Sequence, residues 1–228
     1  MKALILAAGL GERMRPLTER TPKPLLQAGG KPLIVWHLEK LAAAGVRDVV
    51  INTSWLAGQF PQTLGDGAQW GLSIGYSYEG TTPLETGGGM LHALPLLGED
   101  AFIVVNGDIW TDYDFIRLPR EPAGLAHVVV LPLPAFRTAG PFENALADVL
   151  AGHAGSHTLA GIGVYRPQLL DGLAPGRFSI VPRLTQAIEE KQLSAEILTG
   201  TWRDIGTPQR LEQLDGELNS RSGAMPRL

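Results

Sequence analysis

KALILAAGLG, from Lys2 to Gly11, runs an apolar stretch into two glycines. A run this short, stopped by glycine, reads as a buried strand of a parallel sheet and not as a helix. The residues that follow, ERMRPLTERTPKPLL (Glu12–Leu26), set Arg13, Arg15 and Lys23 among Pro16, Pro22 and Pro24. Prolines at that density make a long regular helix unfavourable. Glycine removes the Cβ that would keep an anion from backbone N–H groups. Cations on a proline-stiffened loop beside such a turn suit a polyphosphate. The plainer alternative is a solvated charged loop. The spacing is not G-x-G-x-x-G, because Met14 takes the third place, and no G-K-[ST] follows to make a Walker loop.

Outward from this stretch the elements alternate. PLIVWHLEKLAAAGV (Pro32–Val46) has helical apolar spacing and a stop at Gly45. DVVINTS (Asp48–Ser54) is a strand, residues 55–64 read as a helix, and LSIGYSY (Leu72–Tyr78) as a strand. GGGMLHALPLLG (Gly87–Gly98) reads as a glycine loop running into a helix, and AFIVVNGD (Ala101–Asp108) as a strand with a polar end. LAHVVVLPLP (Leu125–Pro134) and LAGIGVYRP (Leu159–Pro167) read as strands, with irregular glycine-rich chain from Thr138 to Ser156 between them. FSIVPRLTQAIEEK (Phe178–Lys191) reads as a helix, AEILTGTWRDIGT (Ala195–Thr207) as a strand leaving into a turn, and PQRLEQLDGELN (Pro208–Asn219) as a last helix. The expected fold is α/β: one Rossmann-like domain over residues 1–220, with a mixed, mostly parallel sheet, helices on both faces and a flexible tail at 221–228.

Composition bounds the function. The 228 residues are 44% hydrophobic and 18% charged, ordinary for a globular protein. A net charge of −4 without a basic stripe argues against nucleic acid as a partner. Without cysteine, thiolate metal sites and disulfides are excluded. Glycine and charge interrupt the N-terminal apolar run, and no run of about 18 apolar residues exists to suit a membrane span. A cytoplasmic protein with no membrane partner is expected.

Three further stretches carry candidate chemistry. VVNGDIW (Val104–Trp110) places Asn106 and Asp108 just past a strand's carboxyl end, where open α/β sheets bind ligands. Such a carboxylate suits Mg²⁺ on a phosphate, although Asn-Gly-Asp is also turn chemistry. WRDIGTP (Trp202–Pro208) repeats the pattern with Asp204. Thr207 before Pro208 is the better helix cap there, which leaves Asp204 without an evident structural role. LETGGGMLHAL (Leu84–Leu94) has three glycines at a helix start, more than a turn needs, so close approach of a ligand is expected. The five histidines show no H-x-x-x-H pair, and no G-x-S-x-G supports serine chemistry.

In series, these motifs resemble the sugar-1-phosphate nucleotidyltransferases. The resemblance rests on Gly9, Gly11, Arg13, Met14, Pro16, Leu17 and Thr18, on Thr21 to Leu25, on Gly107 and Asp108, and on Asp204 to Thr207. LETGGG, NGDIWTDYDF and the short chain look like the N-acetylmuramic acid α-1-phosphate uridylyltransferases in particular. One departure is GPF (Gly140–Phe142), where that group tends to read G-D-F; Asn144 or a backbone N–H is the expected substitute at the sugar.

The resemblance implies an enzyme with the nucleotidyltransferase fold, with UTP and a sugar 1-phosphate as substrates and Mg²⁺ as cofactor. It implies catalytic roles for Arg13 and Lys23. Nucleotide contacts fall to Ala8, Gly9, Gly11, Glu12, Arg13, Lys23, Glu79, Gly87, Gly88 and Asn106. Sugar contacts fall to Asn144 and Gly161, and metal binding to Asp108 and Asp204. Other acceptors (glucose, mannose or N-acetylglucosamine 1-phosphate) and a non-catalytic nucleotide-sugar binder stay open.

Overall fold

The computed structural model describes residues 1–150, 153 and 155–223. In chain order the elements are β1 (Lys2–Leu6), β2 (Gln27–Ala28), β3 (Lys31–Pro32), α1 (Leu33–Ala43), β4 (Asp48–Thr53), α2 (Gln59–Leu64), β5 (Ser73–Tyr78), α3 (Glu85–Leu97), β6 (Phe102–Asn106) and β7 (Ile109–Thr111). Then follow β8 (Ala126–Pro132), α4 (Pro141–Val149), β9 (His157–Tyr165), α5 (Val181–Glu189), β10 (Leu193–Ile197), β11 (Trp202–Asp204) and α6 (Pro208–Gly223). A seven-stranded sheet has the order β10-β8-β9-β6-β1-β4-β5. Its β6, β1, β4 and β5 run parallel, β10 parallels β8, and β9 is antiparallel to both its neighbours. The mixed, mostly parallel sheet expected from the alternation is the one found.

The opening strand explains the layers. Ala3 and Ile5 point to the face covered by α1 and α2, where they meet Ile34, Leu38, Leu41 and Phe60. Leu4 points to the other face, under Met90, Ala93, Leu146 and Leu184 from α3, α4 and α5. All three β1 side chains are fully buried, which is why the run is continuous rather than alternating. A third cluster joins Met14, Leu26, Trp110 and Ile205 to Leu211, Leu214 and Leu218 of α6. It packs the glycine-and-proline loop against the chain's last helix.

Several expectations need correction. The irregular stretch after Thr138 contains α4, whose start carries two signals. Pro141 sits at the first helical position, and the Gly140 N–H donates to Glu143 Oε2 at 3.1 Å. The helix expected from residue 55 begins only at Gln59, because Leu56 lies in the left-handed region with φ 52°. Ala195–Thr207 is two strands, β10 and β11, in different sheets, separated at Gly200 with φ 110°. α6 continues to Gly223, three residues into the expected tail, and residues 224–228 lie outside the described ones. No helix among the described residues is long and apolar enough to cross a membrane.

Candidate active site

At the carboxyl ends of β1, β4 and β6 a cleft of about 630 Å³ opens. The parallel strands end there together, and each chain must turn away with its last polar groups exposed to the opening. The loop after β1 lines it from Ala7 to Met14, joined by Lys23, Asn52, Glu79, Asn106 and Asp108. Thr82, Pro83, Glu85, Thr86, Arg177 and Gly206 also line it, as do Leu6 and Pro24. The cleft thus gathers Ala8, Gly9, Gly11, Glu12, Arg13, Lys23, Glu79, Asn106 and Asp108, all expected from sequence.

Within the opening loop the two glycines differ in use. Gly9 is exposed, and a Cβ there would meet nothing within 4 Å. Gly11 is left-handed with φ 63°, and a Cβ would strike Thr18 Cγ2 at 2.8 Å. Its carbonyl accepts from Thr18 Oγ1 at 2.8 Å and from the Met14 N–H at 2.8 Å. Gly11 therefore shapes the loop, and Gly9 leaves its backbone open.

Lys23 stands on a single turn between two prolines and is buried. Its ammonium donates to Asp108 Oδ2 at 2.8 Å. The lysine side chain is 8% exposed and the aspartate 42%, so the pair faces the cleft from the carboxylate side. Asp108 follows β6, where the Gly107 N–H donates to the Leu6 carbonyl at 2.9 Å and fastens the turn to β1.

Asp204 reaches the same region through β11. The antiparallel pair β7–β11 sets Asp204 beside Ile109, and the Ile205 N–H donates to the Asp108 carbonyl at 3.1 Å. A Cβ on Gly206 would lie 3.0 Å from Asp204 Oδ2 and 3.2 Å from both Arg13 terminal nitrogens. Gly206 is thus where the D-x-G-T stretch meets the arginine of the opening loop. Contrary to the expectation from sequence, Asp204 also has a structural partner, since Arg210 donates to its Oδ2 at 2.6 Å. Thr207 does cap α6, its Oγ1 accepting from the Arg210 N–H at 3.4 Å.

β7 has a second edge without a strand, and α1 covers it with side chains. The His37 Nε2–H donates to the Ile109 carbonyl at 2.9 Å, and Lys40 Nζ donates to the Thr111 carbonyl at 2.5 Å. His37 Nδ1 has no partner among the described residues. Burial pushes the His37 pKa down from 6.5 to about 4, only partly opposed by the bond to Ile109. Unfolded chains then bind a proton below pH 6.5 that the native state refuses until about pH 4. Stability should therefore fall as pH drops through that window, by on the order of 2–3 kcal/mol at pH 4.5 from this group. In urea unfolding at pH 7 and 4.5, His37→Gln should show a smaller acid loss than the parent; an equal loss would place the acid sensitivity elsewhere.

Opposite the Lys23–Asp108 pair, a polar chain organises the wall. Asn52 Oδ1 accepts from the Ala7 N–H at 2.5 Å, and its amide donates to Glu79 Oε1 at 2.5 Å. Glu79 Oε2 accepts from the Leu84 N–H at 2.8 Å. Burial raises the Glu79 pKa, while these two hydrogen bonds hold it down. Asn52 is not among the residues expected from sequence, although the polar end of DVVINTS carries the same strand-end signal as Asn106.

The three glycines of LETGGG are not a loop and do not line the cleft. They lie buried in the first turns of α3. A Cβ on Gly87 would enter the Phe178 ring, one on Gly88 would strike the Gly176 carbonyl, and one on Gly89 would lie 2.5 Å from Glu79 Oε1. The close approach predicted for a ligand is made by the chain itself. The Gly87 and Gly88 N–H groups both donate to the Phe178 carbonyl, at 3.0 and 3.1 Å, so this helix start offers them to no anion.

The two sugar candidates are also displaced. Asn144 is exposed on α4, and neither it nor Pro141 lines the cleft. Gly161 sits at a register shift between β8 and β9 with φ 75°, and a Cβ would lie 2.6 Å from Asn106 Nδ2. Its effect on the cleft is to make room for Asn106.

Comparison with known proteins follows the same lines. Residues 2–129 match the family model described as nucleotidyl transferase. The chain is similar to the N-acetylmuramate alpha-1-phosphate uridylyltransferase of Neisseria meningitidis, 44% identical over 223 residues that cover 93% of this chain and 96% of the relative. The protein of that name from Caulobacter vibrioides is 33% identical, with 91% and 92% covered. The mannose-1-phosphate guanyltransferase of Schizosaccharomyces pombe is 31% identical over 92% of this chain and 62% of its own length. A solved structure described as a glucose-1-phosphate thymidylyltransferase from Bacillus anthracis superposes with a TM-score of 0.80 at 22% identity, covering 100% of this chain and 97% of that one. At that identity the likeness speaks to the fold.

Proposed function

The chain belongs to the nucleotidyl transferase family, and from that membership we propose that it transfers UMP from UTP to N-acetylmuramic acid α-1-phosphate, giving UDP-N-acetylmuramic acid and pyrophosphate. The observation that carries this reading is the 44% identity, over nearly both full lengths, to a uridylyltransferase named for that acceptor. The mannose-1-phosphate enzymes are more distant and longer.

The cleft supports the chemistry. An ionised phosphate oxygen of the acceptor attacks the α-phosphorus of UTP, and the bond to the departing pyrophosphate breaks. That oxygen is already a nucleophile at neutral pH, so no serine or cysteine has to form a covalent intermediate. Catalysis then rests on positioning and on fixed charge at the reacting phosphates. Arg13 and the open backbone at Gly9 hold the outer phosphates. Lys23 sets an ammonium at the reacting phosphorus, where buried surroundings keep it from wandering. Ala8, Glu79 and Asn52 shape the nucleoside end.

We assign Mg²⁺ to Asp108, which lines the cleft, and to Asp204, whose Oδ2 lies beside Gly206 and the Arg13 guanidinium at its edge. No third acidic or histidine side chain joins them in a ready metal cage among the described residues. Mg²⁺ favours one or two carboxylates with phosphates and water as the remaining ligands. When bound, the ion neutralises charge on the triphosphate. Asp204→Asn should raise the Mg²⁺ concentration for half-maximal rate roughly tenfold or more, because charge-assisted contacts are strong ones. Its loss of the half-exposed Arg210 pair should cost at most about 1 kcal/mol. An unchanged Mg²⁺ requirement with a lowered melting temperature would make Asp204 structural only.

The reaction is assigned to the cytoplasm, where UTP is made, with small molecules as partners and no nucleic acid or membrane. The test is incubation of the purified protein with UTP, the sugar phosphate and Mg²⁺, followed by mass spectrometry. UDP-N-acetylmuramic acid formed in step with pyrophosphate supports the reading; UTP left intact overturns it.

A further inference from the structure

The mouth of the cleft carries an ion pair that the nucleotidyl chemistry leaves unused. Arg177 Nε donates to Glu85 Oε1 at 3.0 Å, with side chains 63% and 43% exposed, and both residues line the cleft. The backbones on either side are fixed. The Phe178 N–H donates to the Leu84 carbonyl at 3.1 Å, its own carbonyl takes the Gly87 and Gly88 N–H groups, and the Ile180 N–H donates to Thr86 Oγ1 at 3.0 Å. The small residues at 87 and 88 exist to let this segment lie directly on α3, since any Cβ there would collide with it. Glu85 is itself held in the left-handed region at φ 62°, a strained conformation for a residue with a Cβ. Such strain persists only where the surroundings impose it.

The result is a guanidinium on a pinned backbone, presented at the mouth of a binding cleft and occupied by a carboxylate of the same chain. The pair is exposed enough that exchanging that carboxylate for another costs little. The cations that line the cleft, among the described residues, are Arg13, Lys23 and Arg177. In the reaction proposed above, Arg13 and Lys23 serve the phosphates, Lys23 with Asp108 beside it. The proposed acceptor carries a second anion: the carboxylate of its 3-O-lactyl ether, the group that sets it apart from other hexosamine phosphates. A planar guanidinium matches a carboxylate through two parallel N–H donors.

We propose that Arg177 is the specificity residue for the acceptor's carboxylate, and that Glu85 occupies it until the acceptor takes its place. This rests on the acceptor reading above. Arg177 also answers the displaced sugar candidates: the acceptor contact expected from Asn144 comes from a loop whose position only tertiary packing defines.

The test compares two acceptors, N-acetylmuramic acid α-1-phosphate and the same compound with its lactyl carboxylate converted to the primary amide. KM and kcat are measured for the parent, Arg177→Gln and Glu85→Gln. The expected result is a KM for the carboxylate acceptor raised about 10- to 100-fold in Arg177→Gln, the range of a charge-assisted hydrogen bond. The KM for the amide and for UTP should stay within about twofold. Glu85→Gln should lower the KM for the carboxylate acceptor and leave the amide unaffected. Equal impairment of both acceptors in Arg177→Gln, a rise in the UTP KM, or a raised carboxylate KM in Glu85→Gln would overturn the assignment. Parent enzyme that uses neither compound but accepts another sugar 1-phosphate overturns the acceptor reading itself, and this assignment with it.

Discussion

Asp108→Asn is expected to lower kcat by about 10³-fold or more while leaving the fold intact. The amide keeps the side chain's shape and its place after β6, and removes the charge. Two things are lost together: the carboxylate proposed above to hold the metal, and the charge that Lys23 holds at 2.8 Å. Loss of several kcal/mol of charge stabilisation at a reacting phosphate corresponds to about three powers of ten in rate. The site is 42% exposed on the carboxylate side, and the asparagine Oδ1 can still accept from the Lys23 ammonium, so the 8%-exposed lysine keeps a hydrogen-bond partner. Stopped or steady-state turnover at saturating Mg²⁺ measures the effect, with circular dichroism and melting as the check on folding. Turnover within tenfold of the parent would remove Asp108 from the chemistry.

Lys23→Ala is expected to cost at least about 10² in kcat, the range seen when one preorganised charge at a transition state is deleted. Lys23→Arg should recover only part of this. The side chain is 8% exposed in a tight space between prolines, and a planar fork does not replace a point charge there. A raised KM for UTP with kcat unchanged would move Lys23 from the transition state to ground-state binding. The two substitutions touch one ion pair, so their effects should be far from additive, and Asp108→Asn with Lys23→Ala together should cost little more than the worse single change.

How much of this is legible in the sequence depends on the range of the forces involved. KALIL reads as a strand because a strand buried on both faces is apolar at every position. Arg13, Lys23 and Asp108 read as a set because each stands at a strand end or in a proline-stiffened loop. The glycines of LETGGG mislead because their reason is not local. Glycine within a helix costs about 1 kcal/mol relative to alanine, so three in a row argue for a loop until Phe178 and Gly176 are seen lying against them. α4 is hidden although Pro141 and Glu143 mark its start, because glycine on both sides outweighs nine residues of modest pattern. β7 and β11 are three residues each, too short for any period to show. Arg177 and Asn52 reach the cleft only through packing between segments distant in the chain, and Asp204 gains a structural partner, Arg210, from the helix beyond its motif. Gly161, expected at the sugar, instead makes room for Asn106.

The most direct measurement of the proposed activity is competition among acceptors. The purified protein is given UTP, Mg²⁺ and equal concentrations of the 1-phosphates of N-acetylmuramic acid, N-acetylglucosamine, mannose and glucose, and the nucleotide sugars formed are resolved by mass. The expected main product is UDP-N-acetylmuramic acid, in amounts equal to the pyrophosphate released. A preference for any of the other three sugars, or pyrophosphate-free binding of UTP without a product, would contradict it.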